Sequence, residues 1–487
     1  MSARSFDAVV IGAGVSGLTA ACYLARAGKR ALVVEARNKL GGRAETAPLG
    51  EGFCVPIAAH TVSALDPRVM KELKLARYGL KFAVRDMPLV GLGHGGRNIV
   101  ITRDVHDTVR NIAVHSQADA EAWPRFRLEL FLLARALRPL WWEAAPARPL
   151  AQDTAEALDR LSRVSAAAWL DSWFESEALK SALAFDATAN GLSPFEPGSA
   201  LVLLWRAAQE MSGLQGAVSW PLGGPAAVAA ALAECAKARG VEIQTGASVT
   251  RVLVQEDAVA GVTLASGETV AATRVLSSLS RRRTLGGLVP ATAIGFDALA
   301  ALAAAPRTGE AKVVMALKAL PPFSGMAVPG AARFVVADRP DVYGAAFSAA
   351  LAGKLPGELA LEFVIPSRIE PAIAPHGQHV VSALVRPVPL AMDAAMKAEL
   401  AAKVASALDA HAPGLSKAIA ATEVLSPEDI AERYGYNEDG FGFMLSNWNA
   451  RIMTSICGLT LCAAEPVPAI SGRAGRIAAS LALGASR

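Results

Sequence analysis

Val10-Ile-Gly-Ala-Gly-Val-Ser-Gly17 holds three glycines in G-x-G-x-x-G spacing, and its flanks decide what the spacing means. Before it runs Asp7-Ala-Val-Val-Ile11, a short β-branched segment. After it runs Leu18-Thr-Ala-Ala-Cys-Tyr-Leu-Ala-Arg-Ala27, which favours helix and stops at Gly28. Strand, glycine turn and helix are the context a dinucleotide site requires. A second strand follows, Ala31-Leu-Val-Val-Glu35, and its terminal acid stands 18 residues after Gly17, close to the ~20 expected for a ribose-binding carboxylate. In this reading Gly12 permits the tight turn, Gly14 lets a pyrophosphate reach the backbone, and Gly17 lets helix pack on strand. Val15 and Ser16 open the helix, whose N–H groups and positive dipole end favour phosphate.

The same spacing recurs at Gly91-Leu-Gly-His-Gly-Gly96, where the flanks differ. Met87-Pro-Leu-Val90 precedes it, and the alternating run Arg97-Asn-Ile-Val-Ile-Thr102 follows, so two short strands around a glycine turn are predicted. A hairpin offers no helix N-terminus to a phosphate. The chain is expected to carry one dinucleotide site.

Composition narrows the remaining classes. A chain of 487 residues exceeds one ordinary domain, and with 53% hydrophobic residues it can fill two substantial cores. Only 19% is charged and the mean hydropathy is +0.33, yet no apolar run is long enough to span a bilayer and no signal peptide opens the chain. A cytoplasmic protein is expected. Its net charge of +4 comes without blocks of like charge, which leaves nucleic acid without a footprint. Cys22, Cys54, Cys235, Cys457 and Cys462 show no C-x-x-C spacing; buried free thiols are expected, and no metal site.

Beyond Glu35 the sequence reads Ala36-Arg-Asn-Lys-Leu-Gly-Gly-Arg43, where Gly41, Gly42 and Arg43 can bring a second loop and a guanidinium to a pyrophosphate. This extended start resembles the flavin-binding segment of the amine oxidase and phytoene desaturase superfamily. The resemblance returns at Gly458-Leu-Thr-Leu-Cys-Ala-Ala-Glu465, similar to the strand and acidic turn that reach the ribityl chain in that superfamily, and at Pro466-Val-Pro-Ala-Ile-Ser-Gly-Arg-Ala-Gly475, which opens a helix to about Leu483. The resemblance implies FAD as cofactor, with Glu35, Ala36, Arg37, Ala464, Glu465, Ile470 and Ser471 beside it. It also covers Trp220-Pro-Leu-Gly-Gly-Pro225 and the following helix and strands, and implies a backbone contact from Val249 to adenine.

The expected architecture is therefore α/β: a discontinuous Rossmann-type FAD-binding domain from residues 1–100, 215–290 and 435–487, with an α+β substrate domain from 101–214 and 291–434. Within the superfamily the chain is most similar to phytoene-desaturase-like proteins, in particular a branch named for a pyridine-nucleotide-disulfide oxidoreductase domain. Gly52 to His60, Ser116 to Phe126, Ala168 to Lys180, and Pro197 to Ala200 carry this likeness. The chain departs from these relatives in having Pro466-Val-Pro-Ala-Ile470 where a glycine-rich stretch is usual, and in Arg43, which is the amine-oxidase-like choice.

His60 is the candidate catalytic side chain, placed to orient substrate or take a proton with a pKa near neutrality. Phe126 to Trp142 is mostly apolar with Arg127, Glu129, Arg135 and Arg138 interrupting it. Such a helix can be core, line a greasy tunnel, or touch a membrane with Trp141 and Trp142 at the boundary. The reaction implied is hydride transfer from a substrate C–H to flavin N5, as dehydrogenation or isomerisation of a lipophilic, carotenoid-like small molecule. Oxygen, a quinone or a partner protein would take the electrons. A flavin amine oxidase is the alternative, and a non-enzymatic lipid binder resembling the GDP dissociation inhibitors is the third reading.

Overall fold

Two sheets divide the molecule. The computed structural model describes residues 4–144, 149–295, 302, 307–326, 330–435, 451–463, 465, 467 and 469–484. The first sheet has five parallel strands in the order Glu242–Gln244, Ala31–Val34, Ala8–Ile11, Val275–Ser277 and Leu459–Leu461. Ala8–Ile11 and Ala31–Val34 are buried at every position, as unbroken apolar strands covered on both faces should be. One face carries the helices Val15–Arg26, Ala226–Lys237 and Arg473–Ala482, which are rich in alanine and can approach closely. A second, four-stranded layer of Arg4–Phe6, Thr269–Ala272, Ala258–Leu264 and Val249–Gln255 packs Val249, Val252 and Val262 against Val9, Ile11 and Val34. One sheet thus draws strands from three distant stretches of chain, which gives the discontinuous Rossmann-type arrangement its physical form.

The second sheet has seven strands: Ile419–Leu425, Gly309–Leu317, His379–Val388, Leu361–Val364, Arg333–Val336, Leu89–Gly91 and Ile99–Ile101. The last two are the expected hairpin. Leu89 pairs with Ile101 and Gly91 with Ile99, antiparallel, around a short turn at His94–Gly96. The hairpin joins this sheet through parallel pairing of Leu89–Gly91 with Arg333–Val335. Backbone pairing therefore assigns residues 89–101 to the second sheet, where the sequence reading ran the cofactor domain on to residue 100.

A helical layer completes the molecule. Its long helix, Gln117–Trp142, buries Trp123, Phe126, Leu137, Trp141 and Trp142 against Trp169, Leu170 and Phe174. Of the readings open for this helix, the two tryptophans take the core one, with Arg138 over the Trp142 ring at 4.5 Å and Arg473 at 4.7 Å. Leu128 and Leu132 are 60% and 58% exposed on the opposite face. No described helix is long and apolar enough to cross a membrane. Of the five thiols, Cys22, Cys235 and Cys462 are buried as expected, whereas Cys54 and Cys457 are exposed, at a strand start and at an isolated bridge to Ala258.

Candidate functional site

Between the two sheets runs one cavity of about 420 Å³. One end is built by the opening glycines. Gly12 has φ +91°, and a Cβ there would lie 2.4 Å from Ser278 Oγ. At Gly17 a Cβ would lie 2.1 Å from the Gly12 carbonyl oxygen, so the third glycine is what allows the helix to start against the turn. Gly14 differs: nothing of the protein lies within 4 Å of where its Cβ would be, and it lines the cavity together with Val15 and Ser16. The open space beside Gly14 suits a pyrophosphate lying against backbone.

Glu35 ends its strand at the same cavity. Its Oε2 accepts from the Ala13 N–H at 2.8 Å and its Oε1 from the Arg37 N–H at 2.9 Å. These bonds hold the carboxylate at the rim with lone pairs left for ribose hydroxyls. The second glycine loop sits on the first, with Gly41 N–H donating to Ala13 O at 2.9 Å. Gly42, Ala36, Arg37 and Val249 also line the cavity, and Ala247 N–H to Glu35 O at 2.9 Å ties the Val249 strand to the Glu35 corner. These features fit FAD.

From the far end of the chain, Glu465 and Ile470 line the cavity while Ser471 is buried behind them. Glu465 accepts hydrogen bonds from Ser471 Oγ and from Ala474 N–H, which anchors this loop to the start of the helix Arg473–Ala482. Ala464 lies outside the described residues, as do Pro466 and Pro468 of the departing stretch. Arg43 lines the cavity, but its Nη2 donates to Glu310 Oε1 at 2.9 Å, so its charge is shared with the second sheet.

The other end of the cavity is where sequence reading fell short. Glu310, Arg333, Glu362 and Arg386 come from strands of the second sheet, and Asp186 and Arg206 from the helical layer. Arg386 Nε donates to Glu310 Oε2 at 2.8 Å, and Arg333 binds Glu362 Oε2 at 2.7 Å through Nε and Asp186 Oδ1 at 2.5 Å through Nη2. Although burial opposes ionisation, Arg386 and Arg43 hold Glu310 below the usual carboxylate range, and Arg333 does the same for Glu362. One signal was available. Gly309-Glu-Ala-Lys-Val313 puts two charges on one face of a strand that is otherwise apolar, and charges in such a strand need partners or work.

His60 lines this end and is buried. Lys312 Nζ lies 2.7 Å from its Nδ1, and Glu362 Oε1 lies 3.2 Å from its Nε2. Burial and the Lys312 charge push the imidazole down to about 4, so the expected titration near neutrality does not occur at His60. Lys312 takes that place: burial lowers it to about 7, against the pull of Glu310 and Glu362. The long helix Gln117–Trp142 contributes nothing to the lining, so it is core rather than tunnel wall.

A parallel sheet with a glycine turn and a strand-end acid, closed by a second sheet that carries buried charges, is an arrangement that fits a flavoprotein oxidoreductase. Residues 15–316 match the model of the flavin containing amine oxidoreductases. The chain is 31% identical to pyridine nucleotide-disulfide oxidoreductase domain-containing protein 2 of Rattus norvegicus, over 88% of this chain and 83% of that one. It is 31% identical to the hydroxyneurosporene desaturase of Cereibacter sphaeroides over 55% of each chain. A putrescine oxidase variant superposes with a TM-score of 0.67 at 19% identity, covering 99% of this chain and 100% of that one. The chain belongs to the flavin-containing amine oxidoreductase family and is a phytoene desaturase-like FAD oxidoreductase.

Proposed function

We propose that this enzyme dehydrogenates a largely apolar small molecule at a C–H bond rather than an amine. The observation that carries this reading is the state of the substrate-end carboxylates. Asp186 and Glu362 are engaged by Arg333, and Glu310 is engaged by Arg43 and Arg386. An ammonium substrate would have to displace a buried guanidinium, which costs more than it returns. Phe185, Val202, Trp205, Val218 and Leu384 supply an apolar wall instead. The likeness to a desaturase supports the same choice. The open glycine cradle and the held Glu35 weigh against a lipid carrier that has lost its flavin.

FAD supplies the hydride acceptor, and oxygen, a quinone or a partner protein then takes the electrons. The chain's own residues position the substrate, exclude water and handle the proton left behind. His60 Nε2–H faces the Glu362 carboxylate and its Nδ1 accepts from Lys312, so His60 positions both groups, and neutral Lys312 is the base of the three. Lys312 is neutral only above about 7, so the rate should rise as pH passes through that value, and Lys312→Met should remove the inflection.

The test is anaerobic bleaching of the bound flavin. Long-chain alkenes and carotenoid-like compounds should bleach it, and small primary amines should not. Rapid bleaching by putrescine or an aromatic amine would reverse the reading, and colourless protein that refuses added FAD would end it.

A further inference from the structure

Arg43 is the guanidinium that the sequence offers to the pyrophosphate, and the structure gives it to Glu310, a carboxylate that Arg386 also holds. The other arginines that line the cavity are committed in the same way. Arg37 and Arg433 share Glu45 Oε1 at 2.8 and 3.2 Å, Arg333 binds Asp186 and Glu362, and Arg206 Nε stands 3.9 Å from Asp186 Oδ2. Arg283 is the exception. It lines the cavity and is exposed, and its guanidinium has no acid, hydrogen-bond or ring partner among the described residues.

Its position follows from the first sheet. The strand Val275–Ser277 runs parallel to Ala8–Ile11 with Ser277 opposite Ile11, so the two chains leave the sheet side by side at its carboxyl end, where open α/β sheets bind their ligands. Ser278 N–H donates to Ile11 O at 2.8 Å and its Oγ to Gly12 O at 3.2 Å, which ties the departing chain to the first glycine. Leu279 comes within 4.0 Å of where a Gly12 Cβ would be, and a Cβ at Gly435 would lie 2.6 Å from the same leucine side chain and 3.7 Å from Arg283 Cδ. The Ser280 hydroxyl accepts from the Arg283 N–H at 3.2 Å and starts the helix Arg281–Gly287. Arg283 is thereby carried beside the glycine turn with its fork of donors unengaged.

A pyrophosphate against Gly14 brings negative charge that backbone N–H groups and a helix end answer only in part. We infer that Arg283 supplies the remaining counter-charge: its guanidinium binds a pyrophosphate oxygen of FAD, in the role that Arg43 leaves by pairing with Glu310. A planar guanidinium fork suits phosphate oxygens, and an exposed side chain without partners gives up no other bond to reach them. The inference concerns the cofactor and is independent of which substrate the enzyme oxidises.

The experiment measures FAD binding to full-length apoprotein by quenching of flavin fluorescence, with ADP as a competitor that carries the pyrophosphate without the flavin. It is run in about 50 mM and about 500 mM sodium chloride, the second of which screens exposed charges. Arg283→Gln should weaken FAD and ADP about tenfold each at low salt and about threefold or less at high salt. Arg283→Lys, which keeps the charge, should recover part of the loss. Arg282→Gln makes the same charge change at an exposed neighbour that does not line the cavity, and should leave both affinities within about twofold of the parent. The Arg283→Gln apoprotein should melt with the parent, because its guanidinium has no partner to lose.

Unchanged FAD affinity in Arg283→Gln would overturn the assignment. So would a loss of the same size at both salt concentrations, a loss matched by Arg282→Gln, or a loss for FAD that leaves ADP competition as it was. Every readout is a binding constant of the apoprotein, so failure of the dehydrogenase reading would leave this result standing, and the reverse holds too.

Discussion

Gly12–Gly17 and Gly91–Gly96 have the same glycine spacing and opposite structural fates. The first turns from a buried parallel strand into a helix, and the space beside Gly14 is left open to a cavity. The second turns between two antiparallel strands, and a Cβ at Gly96 would lie 2.6 Å from the Gly325 backbone nitrogen. In one case small residues make room for a ligand, and in the other they let two loops of the same protein meet. Spacing alone carries neither meaning; the period of the flanking residues does.

The sharpest way to break this comparison is Gly17→Ala. Its Cβ would meet the Gly12 carbonyl oxygen at 2.1 Å, so the helix must move off the turn. We expect a loss of about 3 kcal/mol, the upper end for overpacking, read as a much lower melting temperature or insoluble protein. A variant melting like the parent would show that the third glycine is not a packing device.

Gly14→Val probes ligand space instead. The apoprotein should melt within a degree or two of the parent, while FAD affinity falls about a hundredfold, or about 2.7 kcal/mol. If stability falls and affinity holds, the space beside Gly14 does not receive the cofactor. Glu35→Gln comes next. Losing a charge-assisted acceptor should weaken FAD binding by about 2 kcal/mol, measured by equilibrium dialysis of the apoprotein with FAD. Unchanged affinity would mean that Glu35 serves only the Ala13 and Arg37 amides.

The smallest effect belongs to the second stretch. Gly95 has φ +64° with nothing near its Cβ position, so Gly95→Ala should cost about 1 kcal/mol of stability and nothing in FAD content. NADH or NADPH should reduce the flavin no faster than background in either protein. Saturable nicotinamide-nucleotide binding abolished by Gly95→Ala would overturn the contrast from the other side.

The cofactor end was legible because its information is local. Ala8 to Glu35 is a contiguous βαβ unit, and its turn can be read within it, Gly17 answering to Gly12, although Gly12 also makes room for the distant Ser278. The end holding Asp186, Arg206, Arg333 and Glu362 was not, because these residues lie scattered over nearly 180 positions and meet only when a helical layer docks on the second sheet. His60 falls between the cases. Its place could be read from the strand before it, but its protonation depends on Lys312, which is 252 residues away. The glycine hairpin was legible as a hairpin, yet not as an edge of the far sheet, since nothing in Leu89–Gly91 specifies a parallel partner at Arg333–Val335.

The first sheet takes its last strand from Leu459–Leu461, and the cavity takes Glu465 and Ile470 from the same late stretch. A ribosome releases these residues after everything else that touches the cofactor. The glycine cradle can fold early, but it stays open on one side until synthesis has passed them. Flavin retention is therefore a readout of translation: a prematurely terminated chain is expected to be colourless, and uptake of the pigment marks the molecules that were read through.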